Sequence, residues 1–173
     1  MNRFGSLAVI LTASIGLSAC AGDEPADSED VVLRMIGAVN ARDFEALDEV
    51  VAAGVRRYSG ATPDLQVRSL ADFKAFLHQD LASVPDAMQD VQLIFSNGPF
   101  VAVRATYKGT QSGPMGPFPA SNRRLELPFL AILRVENGKI AEIWVEWDNL
   151  NALSQLGHFP PAAADPVDDG RGD

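Results

Sequence analysis

An α+β domain is predicted, with helices first and an antiparallel sheet after them, and three observations carry that prediction. Apolar residues recur with a helical period over 31–81. From Asp90 onward the period becomes strand-like, with Val91, Leu93 and Phe95 between polar partners. Asn97-Gly98 and Asn137-Gly138 then mark tight reversals between β-rich runs. Helices followed by strands segregate onto one face of a curved sheet, whereas alternation would interleave them with parallel strands.

The elements follow in order. Val31, Val32, Met35, Ile36 and Val39 form the stripe of a first helix; Asp27 or Ser28 caps it, and Glu29 and Asp30 suit the positive end of its dipole. After a break at 40–43 a second helix is expected over 44–52, stopped by Gly54. Residues 55–59 suit a short strand and 60–64 a turn. Ser69-Leu70-Ala71-Asp72 is a capping box opening a third helix, with Phe73, Phe76, Leu77 and Leu81 as its stripe and Pro85 as its end. Four strands are then expected, over 91–95, 100–107, 125–135 and 140–147, with a Gly- and Pro-rich loop at 109–122. Leu150, Leu153 and Leu156 give a last short helix that Gly157 stops.

Close to half of the 173 residues are apolar and there is no long charged block, which bounds the chain to one globular domain with tails. Fourteen Lys and Arg stand against 23 Asp and Glu, a net charge of -9. That balance excludes a basic stripe able to displace counterions from phosphates, so no nucleic-acid partner is expected. There is no cysteine or histidine cluster to hold a metal.

The two ends read differently. Met1-Asn2-Arg3 is a short positive segment, Leu7 to Leu17 is apolar but too short to span a bilayer stably, and Leu17-Ser18-Ala19-Cys20 resembles a bacterial lipobox. The resemblance implies a signal peptide over 1–19, lipidation of Cys20, a tether over 20–28, and a domain over 29–158 anchored to a membrane in the cell envelope. The outer membrane facing the periplasm is expected in a Gram-negative cell, because Ala21 and not Asp follows the cysteine. Residues 159–173 carry little to bury and are expected to be disordered; the terminal Arg171-Gly172-Asp173 matches an integrin-binding tripeptide by chance.

Gly138-Lys139-Ile140, Glu142, Trp144, Trp147-Asp148 and Gln155-Leu156-Gly157 occur in the order and spacing of a known signature. With looser agreement at Pro85-Asp86, 101–106 and Gly109-Thr110, the stretch from about 31 to 157 resembles the SnoaL-like polyketide cyclase, or ester cyclase, family. That resemblance implies the cone-shaped fold of nuclear transport factor 2, with helices packed on a curved sheet. It also implies a cofactor-independent reaction in which an acid, at the position Asp148 fills, removes a proton next to a carbonyl so that the enolate closes a ring. Gln111 stands where members often carry histidine; it can hydrogen-bond a substrate oxygen but cannot exchange a proton near neutral pH.

The face on which Asp148 lies depends on the turn at Asn137-Gly138. A three-residue loop, 136–138, places Glu126, Leu130, Ile132 and Arg134 with Ile140, Glu142, Trp144, Glu146 and Asp148, and leaves an almost wholly apolar set on the other face. A two-residue turn shifts the register by one. Two readings of the mixed face stay open. It lines a pocket for a small apolar carbonyl compound, with Trp144 as wall, Arg134 holding an enolate and Asp148 as a general base whose pKa burial raises. Or it is a solvated or subunit-facing surface. The corresponding alternatives to an enzyme are a lipid-anchored binding module and a dimerisation domain, a homodimer joined through the exposed sheet face. Metabolic labelling with a fatty acid is expected to tag the wild-type chain and leave Cys20→Ser unlabelled; equal labelling contradicts the lipobox reading.

Overall fold

The computed structural model describes residues 27–159. The expected signal peptide, the expected lipidation site Cys20, most of the expected tether and residues 160–173 lie outside the described residues. The element order is α1 (Ser28–Ala41), α2 (Leu47–Val50), β1 (Val51–Tyr58), α3 (Leu70–Ser83), β2 (Met88–Asn97), β3 (Phe100–Thr110), β4 (Arg124–Glu136), β5 (Lys139–Trp147) and α4 (Asn149–Leu156). One sheet holds all five strands in the order β1-β5-β4-β3-β2. This is the expected α+β architecture, a curved sheet with helices on one face.

Local chemistry sets the helix ends. Asp27 accepts the Glu29 backbone N–H at the start of α1. Ser69 Oγ accepts from Asp72 N at 3.1 Å, while the Asp72 carboxylate accepts the Arg68 N–H at 3.0 Å, so the box closes one residue earlier than its sequence pattern implies. Gly157, at φ 78°, ends α4 in the left-handed conformation that glycine tolerates best.

Two expectations change. The second helix is a single turn, because Val51 and Val55 are needed as buried strand residues, both at 0% exposure. The strand they start is longer than expected, and it pairs with β5 in parallel, with Arg57 opposite Ile143 and Tyr58 opposite Trp144. The β4–β5 turn is the two-residue one of the two alternatives that the sequence left open. Asn137 and Gly138 have φ of 51° and 72°, the geometry of a two-residue turn, so Glu136 pairs with Lys139 and Val135 with Ile140. A bulge at Ala141 then restores the parity, and Arg134 faces Glu142, Ile132 faces Trp144 and Phe129 faces Trp147. The face sets read from sequence therefore hold from Glu142 onward, whereas Ile140 joins the buried side.

The apolar face is the one the helices cover. Val101, Val103, Ala105, Ala131, Leu133 and Ile143 of the sheet pack with Val32, Ile36, Phe73 and Leu77 of α1 and α3 in one core. The mixed face is the outer one. The loop after β3 docks on the end of α3, where Gly113 N donates to Ser83 O at 3.0 Å and Ser83 Oγ donates to Pro114 O at 2.7 Å. A Cβ at Gly113 would collide with the Ala82 carbonyl oxygen. Gly113→Ala is expected to lower stability by about 1–3 kcal/mol through overpacking, read as a lower urea midpoint at unchanged slope.

Candidate active site

Helices α1 and α3 cover the inner sheet face without filling the space beneath them. They leave a cavity of about 770 Å³, within the range of small-molecule sites. Its walls are mostly apolar: Met35 and Ile36 from α1, Phe73 and Phe76 from α3, Phe129 and Val145 from the sheet. The loops at 61–65 and 115–118 and the start of α4 close its sides. Three groups give this hollow its chemistry.

Asp80 is the first. Phe73, Phe76, Leu77 and Asp80 share one face of α3 by their spacing, so the helix that buries its phenylalanines carries the carboxylate in with them. Tyr107, from β3, donates its hydroxyl to Asp80 Oδ2 at 3.0 Å. Burial pushes the carboxyl up to about 6, against the opposing pull of the Tyr107 bond and the Arg57 charge. Tyr107 is itself pushed well above the usual phenol value by burial and by Asp80, so it remains a donor.

Arg57 is the third group. It projects from β1 into the cavity at only 7% exposure. Its guanidinium lies 4.8 Å from the Phe76 ring centroid and 5.6 Å from that of Trp147, and Nη1 donates to Thr62 Oγ1 at 3.0 Å. Burial lowers its pKa, while Glu146 and Asp80 act in the opposite direction. Guanidinium stays protonated in proteins. Among the described residues Arg57 joins no ion pair. The cavity thus holds a carboxylate that ionises near pH 6 and a buried cation with donors to spare.

None of the four residues expected around the pocket lines it. Asp148 is the exposed N-cap of α4, accepting from Asn151 N at 2.9 Å. Trp144 lies on the outer face, stacked on Tyr58 with centroids 5.6 Å apart. Arg134 is also on the outer face, paired with Glu142 at 2.5 Å and Glu136 at 3.0 Å, and these bonds raise its pKa further. The physical reason is common to all three: the helices need the apolar face, so the mixed face is turned out. Gln111 is fully buried, but in the loop wall. Its amide donates to Gly113 O and Pro119 O at 3.1 and 2.9 Å and accepts from Ser121 N at 3.2 Å, with His158 Nε2 at 3.0 Å from its oxygen. Among the described residues no group of three or more His, Cys, Asp or Glu is placed to hold a metal.

Sequence reasoning missed Asp80, Tyr107 and Arg57. The signal for Asp80 was present: it stands three residues after Leu77, four after Phe76 and seven after Phe73, on the apolar stripe. Because its pKa is raised in the fold, the folded chain binds that proton more tightly than the unfolded chain, and stability is lost as pH climbs from about 4 through about 6. Asp80→Asn removes that loss. Its stability relative to wild type is expected to grow by on the order of 3 kcal/mol between pH 4 and 7 and then level off, as measured by urea unfolding; a pH-independent difference contradicts the burial of an ionising Asp80. Gln111→Leu orphans several loop groups at once and is expected to cost about 2–4 kcal/mol by the same method.

The model of the SnoaL-like polyketide cyclase family matches residues 29–156. No curated protein gives a significant match. Among solved structures, IdmH of Streptomyces antibioticus, assigned as a polyketide cyclase, is 29% identical, with a TM-score of 0.68 over 76% of this chain and 99% of its own. TsrD of Streptomyces laurentii is 26% identical, with a TM-score of 0.68 over 75% of this chain and 94% of its own. AclR of Streptomyces galilaeus, assigned as a hydroxylase, is 26% identical, with a TM-score of 0.67 over 79% of this chain and 100% of its own. With the family model spanning nearly all of the described fold, the chain belongs to the SnoaL-like polyketide cyclase family.

Proposed function

We propose that this chain is a cofactor-independent cyclase or isomerase acting on a small, largely apolar carbonyl compound, with Asp80 as general base. The observation that carries the reading is a carboxylate with a pKa near 6 in an apolar cavity that also holds Arg57. Family membership supports cyclase- or isomerase-type chemistry. Asp80 takes the proton from the carbon next to a carbonyl, and the electron pair moves onto the carbonyl oxygen. Arg57 stabilises the negative charge that develops there, in a setting where low dielectric strengthens the attraction. Tyr107 fixes the orientation of Asp80 through its hydrogen bond. In ring closure the enolate carbon bonds to a second carbonyl carbon of the same molecule, and the resulting alkoxide takes back the proton from Asp80. In isomerisation the proton returns to a different carbon. Both courses leave atoms and electrons balanced without an outside reagent.

This reading moves the base from Asp148, whose carboxylate caps α4, to Asp80. The lipobox at 17–20 supports an envelope location with the domain tethered through Cys20.

Deuterium exchange tests the chemistry before the natural substrate is known. With a panel of small hydrophobic ketones in D2O, wild type is expected to exchange α-hydrogens of the ketones it binds, at a rate rising with pH through about 6 as Asp80 loses its proton. Asp80→Asn should lower that rate by about 10²–10⁴-fold while leaving ketone affinity within a few-fold. Asp148→Ala should leave exchange unchanged and cost about 1 kcal/mol of stability as a lost cap. Ketone binding without exchange in wild type would favour the binding module, and exchange indifferent to Asp80 would overturn the assignment of the base.

A further inference from the structure

Arg57 stands where the sheet elsewhere turns apolar side chains inward. Alternation along β1 puts it on the same face as the fully buried Val55. Its backbone is held from both sides, paired with Ile143 of β5 and donating its N–H to Val67 O at 3.2 Å. The guanidinium makes one hydrogen bond, from Nη1 to Thr62 Oγ1, and no carboxylate pairs with it among the described residues. Nε and Nη2, adjacent on one edge of the fork, have no partner there. Neither is walled off: Ser59 Oγ is the one sealed side-chain donor or acceptor without a partner among the described residues, so the free edge opens into the cavity that Arg57 lines. A cation taken out of water with parallel donors unmet is costly unless an anion meets it.

We infer that the ligand of this hollow is an amphiphilic carboxylate, its apolar body along Phe73, Phe129 and Val145 and its two oxygens on the Nε–Nη2 edge of Arg57. The parallel N–H groups of that edge match a carboxylate in a bidentate pair. No second Lys, Arg or His lines the cavity among the described residues. A monoanion therefore balances the one cation, whereas a phosphate dianion would bring an unpaired charge into an apolar space. The other charged groups around the fork are Asp80 on α3, Glu146 on β5, which already accepts from the Gly60 and Ala61 N–H groups, and the exposed Asp64 at the rim; Tyr107 on β3 is a donor. Asp80 gains its negative charge as pH rises through about 6, and that charge opposes a second carboxylate in the same hollow. The acid therefore binds best below that pH. This inference rests on the reading of the hollow as the substrate site, and it narrows the substrate of the proposed reaction to a keto acid. Bidentate binding leaves one proton on Nη1 and one on Nη2 for the carbonyl oxygen.

The test is calorimetric binding of decanoate and of its neutral counterpart decanol to the full chain carrying Cys20→Ser, so that no acyl chain at that position competes. At about pH 5.5 wild type is expected to bind decanoate at least about 10-fold more tightly than decanol. Arg57→Met, which can still pack against Phe76 and Trp147, should weaken decanoate by about 30-fold or more and leave decanol within a few-fold, with an unchanged circular dichroism spectrum. Between about pH 5 and 7 decanoate affinity should fall several-fold in wild type and stay level in Asp80→Asn. These readouts need no turnover, so a chain that prefers decanoate but exchanges no α-hydrogen contradicts the base and leaves the carboxylate site standing. Equal affinity for the two ligands in wild type, no binding of decanoate, or a folded Arg57→Met chain that keeps the preference would overturn the site.

Discussion

Two long helices laid on a five-stranded sheet cannot fill the concave side of that sheet, and most of what this protein can do follows from the hollow they leave. The sheet presents apolar side chains inward at alternate positions on β3, β4 and β5, and α1 and α3 satisfy part of that surface. About 770 Å³ stays open. A charge placed in such a space is shielded from water on most sides, and its protonation equilibrium is set by the few polar groups that share the space. Asp80 and the two groups that act on its charge, Tyr107 and Arg57, come one each from a helix, an inner strand and an edge strand. The fold therefore positions the chemistry by bringing three separated segments around one void, not by a local motif.

The same constraint explains why the C-terminal signature plays a structural part here. Asp148 and Gly157 bracket α4, one as its N-cap and the other as its left-handed stop, and α4 closes a second, smaller core with Leu125 and Leu127. Gln155 ties that helix to β4 through the backbone of Glu126. Trp147 walls the cavity beside Arg57, while Trp144, three residues earlier, faces the opposite side of the sheet. Residues close in sequence thus divide between the two faces of the sheet, the inner one lining the cavity and the outer one turned away from it.

How much was legible beforehand follows from the range of the interactions involved. The caps at Asp27 and Ser69, the Asn-Gly reversals and the period change near Asp90 are set within a few residues, and the chain states them openly. The parallel pairing of β1 with β5 joins residues some 90 positions apart, and no local pattern announces it. The β4–β5 faces were readable from Glu142 onward only because the bulge at Ala141 offset the shorter turn. Of the two readings of the mixed face, the pocket lining fails and the outward-facing surface stands, for a definite reason. A few polar groups among aromatics suggested a binding site on the mixed face, but helices must be paired with the apolar face, and the cavity lies beneath the helices. Asp80 was readable in principle as a carboxylate on a phenylalanine stripe, whereas the strand carrying Arg57 was expected but its place beside β5 was not.

The account stands on the protonation of one carboxyl group inside the hollow. Carbon-13 NMR of the Asp80 side chain across a pH series reads that equilibrium directly, in the whole protein and without a substrate. A midpoint near 6 is the predicted result. A midpoint near 4, the ordinary aspartate value of about 3.9, would mean that water reaches the group freely and would contradict the account.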